Sequence, residues 1–325
     1  MKRIGISMGD SSGVGPEILL KAARENRVTV PFVVYGDLVP LQELNRQLGL
    51  GLDMRSVASP ADCIEGKVNI IDQQMLGQDD LSPGRIGKLS GQAAREYVVR
   101  ATKAALAGEI AAIVTLPMNK EATQLSDPGF TGHTELIGAL CGSDDVTIML
   151  ASPDLIVTHV STHCSLRQAI ERCRKERISK IIELTWHAVR RLQSGTRIAV
   201  AGLNPHAGEN GLFGSEEIEE IRPAVEWART QGWDVEGPLP PDTLFYMTVR
   251  RGKYDAIVCM YHDQGHIPSK LLDFEGGVNI ALGLPIVRTS VDHGTAFDIA
   301  WKGVASTTSF EAAIGMAIRL ASLDS

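Results

Sequence analysis

The sequence predicts an α/β fold built on a mostly parallel sheet. Two observations carry that expectation. Short apolar runs alternate with amphipathic stretches along the whole chain, and six of the apolar runs empty directly into polar clusters. With 325 residues and about 150 residues per domain, two domains are expected.

The elements follow in order. Arg3–Met8 reads as a strand, the "GDSSGVGPE" turn follows, and Pro16–Glu25 reads as a helix with Pro16 at its first position. Pro31–Tyr35 is a second strand. Ala94, Val98, Ala101 and Ala105 recur at helical spacing and predict a helix over 91–106. Strands are expected at 109–117, 153–161 and 196–203. Residues 166–193 form an amphipathic helix in one or two pieces, 215–232 a helix with Pro223 near its middle, and 310–321 a closing helix. Ala256–Tyr261 reads as a buried strand, and 278–284 leads into "PIVRTSVDHGT". In open α/β sheets ligands bind beyond the carboxyl ends of strands. The six polar strand ends, "GDSSGVGPE", "PMNKEA", "THCSLR", "NPHAGENG", "HDQGHIPSK" and "PIVRTSVDHGT", therefore point to one shared crevice.

Composition narrows the function classes. Apolar residues make up 44%, charged residues 22%, and the formal charge is −7. This is ordinary for a globular protein and argues against a nucleic-acid partner, which selects a basic face. Five cysteines, Cys63, Cys141, Cys164, Cys173 and Cys259, form no C-x-x-C pair and read as reduced thiols of a cytoplasmic protein. Only Cys164, beside His163, lies near candidate chemistry. The basic start lacks an apolar run, so no signal peptide is expected. No stretch reaches the roughly 18 apolar residues that span a bilayer.

The motifs are weighed one at a time. "MGDSSGVGPE" lacks the third glycine of a dinucleotide fingerprint and the Gly-Lys-Ser/Thr of a phosphate loop. A tight turn and a ligand-facing helix start are equally compatible with it. His159 and His187 fall inside regular elements and read as structural. His163, His206 and His262 each follow a strand, and three imidazoles with open positions are a common catalytic-metal set, although spacing alone leaves a structural role open. His262 and His266 are four apart, but Gly265 is expected to break the helix that an H-E-x-x-H zinc site needs. Thr134, after His133, reads either as a helix cap or as a substrate contact, and Asp242 likewise. Lys120, Lys270 and Arg288 are either solvated charges or an anion clamp.

Taken together, "GDxxGxGPE", "PMNK", "GFTGHTE", "GLNPHAGE", "PxDTLF", "YHDQG…K" and "VNIxLGLPxxRTSVDHGTA" run in this order over nearly the whole chain. The set resembles the 4-hydroxythreonine-4-phosphate dehydrogenase family, the vitamin B6 biosynthesis dehydrogenases and their catabolic relatives. The resemblance implies a two-domain fold like isocitrate and isopropylmalate dehydrogenases, with an interdomain cleft, and not a Rossmann fold. The first domain would span 1–130 plus 285–325 on the NAD side, and the second 131–284, carrying the metal, substrate and dimer surfaces. It implies a cytoplasmic homodimer with its active site at the interface. One divalent ion, Zn2+, Mg2+, Mn2+ or Co2+, would be held by His163, His206 and His262 from both subunits. His133, Thr134, Lys270, Asn279 and Arg288 match substrate-binding positions. Asp242, Asp263 and Lys270 are the candidate catalytic residues. The cofactor would be NAD, with NADP also compatible, and its binding residues are not assigned.

The implied reaction is NAD-dependent oxidation of the C3 alcohol of 4-hydroxy-L-threonine 4-phosphate, followed by loss of CO2, in pyridoxal phosphate biosynthesis. Two features depart from the family pattern. Ser11-Ser12 replace Pro-Ala in the glycine turn. The Gly265-His266-Ile267-Pro268 run looks like the paralogous branch acting on D-threonate or D-erythronate 4-phosphate, or on an aromatic dihydrodiol dicarboxylate. Other readings are a non-redox metal hydrolase using the same histidines and a phosphate-binding protein without catalysis.

Overall fold

The computed structural model describes residues 3–193 and 195–322. In chain order the elements are β1 (Arg3–Ser7), α1 (Gly15–Arg24), β2 (Phe32–Gly36), α2 (Leu38–Gln47), β3 (Met54–Ser56), β4 (Val68–Asp72), α3 (Lys88–Leu106), β5 (Ile110–Thr115), α4 (Lys120–Gln124) and α5 (His133–Cys141). Then follow β6 (Thr147–Ala151), β7 (Ile156–His159), α6 (Leu166–Arg172), α7 (Lys175–Leu192), β8 (Arg197–Ala201), α8 (Arg222–Thr230), β9 (Asp234–Leu239), α9 (Pro241–Arg251), β10 (Ala256–Cys259), α10 (His262–Leu272) and β11 (Val278–Leu282). The chain closes with β12 (Val287–Val291) and α11 (Thr308–Ser322). The fold is α/β, as the alternation predicts.

The chain divides into two compact units, residues 1–144 with 284–325, and residues 145–283. The segment 131–144, which the sequence reading gave to the second domain, groups with the first unit because α5 packs on α3.

In the first unit the strand order is β3-β4-β2-β1-β5-β12, and every pairing is parallel. Strands buried on both faces need apolar side chains on both, and Ile4, Ile6, Val33, Val34, Ile113 and Val114 are all buried. Helices α1, α3 and α11 cover them with Leu19, Leu20, Tyr97, Val98 and Phe310. Each such side chain contributes about 1.5–3 kcal/mol by leaving water.

In the second unit the order is β11-β6-β7-β10-β8-β9. The β11/β6 and β6/β7 pairs are antiparallel, and the remaining pairs are parallel. One core, with Ile178, Ile181, Ile182, Val200 and Val225, lies beneath α7 and α8. A second, with Leu150, Val157, Leu244 and Tyr254, lies beneath α9.

Two helices differ from expectation. The 215–232 stretch is a π-helical turn over Glu217–Ile221 followed by α8, so Pro223 stands in the first turn of a new helix. A proline without an N–H is tolerated there and not mid-helix. The second is α10, which runs through both Gly265 and Pro268. A Cβ at Gly265 would overlap His159 Nε2 and come within 3.0 Å of Cys259 Sγ. The glycine is a close-packing residue, and the roughly 1 kcal/mol it costs a helix is offset by that approach.

Candidate active site

The metal-ligand candidates are all in the second unit. His163 follows β7, in a loop closed by a capping box: Ser165 Oγ accepts from the Gln168 N–H at 3.3 Å, and Gln168 Oε1 accepts from the Ser165 N–H at 3.1 Å. His262 is the first residue of α10. The Met260 N–H donates to Gln264 Oε1, and Gln264 Nε2 donates to the Gly202 carbonyl, both at 2.7 Å, tying the helix start to the ends of β10 and β8. The His163 and His262 ring centroids lie 5.9 Å apart. Two imidazoles sharing a tetrahedral ion stand about 5 Å apart by centroid, so the pair fits one ion. His262 Nδ1 lies 2.7 Å from Asp263 Oδ1, which leaves Nε2 as the nitrogen open to a ligand. Asp263 is thereby placed to orient the His262 ring.

His206 is elsewhere. It lines a concavity of about 500 Å³ with Ala207, Glu209, Arg222 and Pro238. His163 and His262 line another, of about 300 Å³, with Thr162, Cys164 and Asp263. Among the described residues no group of three or more His, Cys, Asp or Glu within this chain is arranged to hold a metal ion. The three histidines therefore do not converge in a single copy.

The backbone presenting His206 is unusual. His206, Ala207, Gly208, Glu209 and Asn210 all have positive φ, between 41° and 76°, a left-handed turn that costs non-glycine residues of order 1 kcal/mol each. Buried Glu217 anchors the segment that leads into this turn. Its Oε1 accepts from the Leu203 and Asn204 N–H groups at 2.7 Å, and its Oε2 from Asn204 Nδ2 at 2.9 Å. A Cβ on Gly208 would lie 2.6 Å from Glu217 Oε2, so the turn closes tightly over the carboxylate.

The first unit holds an anion-seeking cluster. Arg288, on β12, is buried, and its Nε and Nη2 donate to Thr115 Oγ1 at 3.2 and 2.7 Å. Burial lowers its pKa to about 10, opposed by the charge of Glu135, so it stays cationic at neutral pH. No carboxylate lies within ion-pairing distance of it among the described residues. A buried cation without a counter-charge is costly, and an anionic ligand relieves that cost. His133 starts α5 after Gly132, with Thr134 next in the first turn, so Thr134 is not the cap. His133 Nε2 is buried without a hydrogen-bond partner. Burial and then the Arg288 charge hold the His133 pKa down to about 3, against a hydrogen bond to the Leu116 backbone.

His133 makes stability depend on pH. The unfolded imidazole titrates near 6.5, the folded one near 3. Below about 6.5 the unfolded chain binds a proton that the native chain refuses, so stability falls as pH drops through that interval. Urea midpoints measured from pH 7 to pH 4 should decline less steeply in His133→Asn than in the wild type.

The other candidates are more dispersed. Asp242 is exposed in the first turn of α9, where its Oδ1 accepts from the Thr243 N–H at 2.9 Å; Pro240, not Asp242, is the cap. Lys270 lies on α10 with Nζ 5.2 Å from the Phe274 ring centre. Lys120 is exposed at the start of α4. Asn279 is half-buried on β11. The glycine turn after β1 is packed from within the first unit: Trp301 Nε1 donates to the Ser11 carbonyl at 2.9 Å, and the Ser12 N–H to Asp10 Oδ1 at 2.9 Å. Sequence reasoning passed over Glu217, Thr115 and His159. His159 is fully buried and faces His266, not only apolar core. The "Gly265" in "HDQGH" was the available signal, because a glycine inside a helix marks a close approach.

A family model described as pyridoxal phosphate biosynthetic protein PdxA matches residues 27–317. The chain belongs to the PdxA family. This PdxA-family chain is 44% identical to a D-threonate 4-phosphate dehydrogenase of Pectobacterium atrosepticum, with 98% of this chain and 99% of the relative covered. It is 43% identical to a 4-hydroxythreonine-4-phosphate dehydrogenase of Beijerinckia indica, covering 98% and 94%. The crystal structure of a 4-hydroxythreonine-4-phosphate dehydrogenase from Klebsiella pneumoniae superposes with a TM-score of 0.89 at 44% identity, covering 99% of this chain and 100% of that one. The PdxA-family chain is accordingly an oxidoreductase. No described helix is long and apolar enough to cross a membrane.

Proposed function

We propose that the chain oxidises a 4-phosphorylated four-carbon hydroxy acid, of the 4-hydroxy-L-threonine 4-phosphate type, with NAD as hydride acceptor and one divalent ion per site. The observation that carries the anionic substrate is Arg288, a buried guanidinium whose hydrogen-bond partner among the described residues is the Thr115 hydroxyl, together with His133 Nε2, buried without a hydrogen-bond partner among them. Arg288 and His133 bind an anionic end of the substrate, Thr134 adds a hydroxyl, and Lys270 and Asn279 complete the binding set carried over from the family. Positioning of this kind removes much of the entropic barrier to reaction. His163 and His262 of one copy and His206 of a second hold the ion, and Asp263 keeps His262 in the tautomer with Nε2 free. When bound, the ion acts as a Lewis acid toward the alcohol oxygen and the charge that builds during decarboxylation.

A homodimer is part of this reading. Leu212 (70% exposed) and Phe213 follow the His206 turn, and Leu271 (85% exposed), Ile267 and Phe274 lie on and after α10. Exposed apolar residues of this size flanking both halves of a metal set favour a self-complementary interface. The two-unit organisation of isocitrate and isopropylmalate dehydrogenases belongs to the same proposal, supported by the two α/β units and their strand-end loops.

The second reading is a D-threonate or D-erythronate 4-phosphate dehydrogenase, favoured by the Gly265-His266-Ile267-Pro268 run and by the Pectobacterium relative. NADH formation by metal-loaded protein, measured on the three phosphorylated substrates with and without chelator, separates the readings. Turnover of the amino acid places the chain in the biosynthetic branch, and turnover of the sugar acids alone in the catabolic one. Undiminished rates after complete removal of the metal would refute the metal's part in either.

A further inference from the structure

Behind His262 the second unit carries two more imidazoles, to which the chemistry above gives no task. His266, one turn along α10, lies face to face with His262, the ring centroids 3.6 Å apart and the planes 10° from parallel. His159, the last residue of β7, is fully buried, and its Nε2 lies 3.2 Å from His266 Nδ1. A hydrogen bond between two ring nitrogens needs one donor and one acceptor. His159 Nδ1 lies 3.4 Å from the Ile148 carbonyl, which can only accept. His159 is fully buried between this carbonyl and a second imidazole, surroundings that favour a neutral ring with one proton. The single proton of His159 therefore belongs on Nδ1, and its Nε2 is the acceptor. It follows that His266 carries a proton on Nδ1, which points at His159 Nε2 and at the His262 carbonyl, 3.1 Å away.

A backbone carbonyl on β6 thus sets a tautomer, that tautomer sets the next, and the second ring lies flat against His262. Gly265 makes the arrangement fit, since any side chain there would overlap His159 Nε2. His262 is then held on two sides, at its edge by Asp263 and across its face by His266.

We propose that His159 and His266 form a buried positioning pair that fixes the ring plane of His262, aiming Nε2 at the point it shares with His163. The inference rests on the reading of His262 as a metal ligand. His266 is a positioning residue on this account, acting through His262 and touching neither ion nor substrate.

The test is metal affinity of the intact protein, measured by competition with a chromophoric chelator, together with the visible spectrum of the Co2+-loaded form. His262→Ala is the control for the metal reading and should abolish tight binding. His266→Leu, which removes the flat face, should weaken binding about 10- to 100-fold, the usual effect of losing a group that orients a ligand, and should shift the Co2+ bands. His266→Phe restores a flat ring and should recover most of the affinity. Should the Leu variant fail to fold, His266→Gln, polar but without the ring, carries the same expectation. Affinity within twofold of wild type and an unchanged Co2+ spectrum in a folded His266→Leu or His266→Gln protein, with His262→Ala still defective, would overturn the positioning pair. Unchanged affinity in His262→Ala would instead overturn the metal assignment on which it rests.

Discussion

Mixing two inactive variants should restore turnover. His206→Ala and His262→Ala chains, each inactive alone, are expected to regain about one quarter of wild-type activity after subunit exchange at equal concentrations. The reason is the separation of His206 from the His163–His262 pair into different concavities of one copy. If each site draws His206 from one copy and the pair from the other, a mixed dimer has one intact site and one doubly defective site. Half the dimers are mixed, and half of their sites are intact, which gives about a quarter in a two-fold symmetric assembly. The matched control is a mixture of His163→Ala with His262→Ala. Both lesions then fall on the same half of the set, and no exchange can build an intact site. Recovery in this control, or none in the first mixture despite proven exchange, would rule out a shared site.

The largest effect on stability should come from Glu217→Ala. The substitution strips the carboxylate acceptor from the two half-buried backbone N–H groups of Leu203 and Asn204, and leaves the Asn204 amide with Glu216 as its remaining carboxylate partner. Hydrogen bonds to a carboxylate contribute about 1.5–3 kcal/mol each, and buried donors left unsatisfied cost a comparable amount. A loss of about 3 kcal/mol or more is expected, read as a lower urea midpoint at unchanged slope. Glu217→Gln can keep the two backbone contacts through its remaining carbonyl oxygen, though not the one from the Asn204 amide, and should lose less. A Glu217→Ala protein as stable as wild type would mean that the left-handed turn at 206–210 stands without the carboxylate.

Much of the fold was legible because it rests on local pattern. Strands such as "IVTH" and "AIVC" are short, apolar and β-branched, and the helices between them carry apolar residues at helical spacing, so the alternation identified an α/β chain. What sequence reasoning missed was decided by contacts distant in sequence. Gly265 looked like a helix breaker because its propensity is poor, whereas its neighbour His159, more than a hundred positions earlier, requires that it have no side chain. The left-handed turn was illegible for a related reason. Ala207 and Glu209 do not favour positive φ, and the turn is held by its own backbone hydrogen bonds and by buried Glu217, which anchors the segment leading into it.

The site divides in the same way. His163 and His262 stand out as strand-end histidines, and the structure brings them together. His159 looked like core because it sits inside a strand, and nothing near it in sequence indicates that its ring meets another imidazole. Arg288 could be singled out as a cation in a strand-end loop, but only its burial against Thr115 distinguishes it from surface charge.

The separate placement of His206 also bears on assembly. On the proposed reading an isolated copy offers an ion two nitrogens, and an assembled pair offers three. Ion uptake and self-association are then one linked equilibrium, because anything that binds only the associated form strengthens association by mass action. Diluting the protein would release its ion, and withdrawing the ion would loosen the dimer. The amount of working enzyme would then rise faster than in proportion to the amount of chain wherever free metal is scarce.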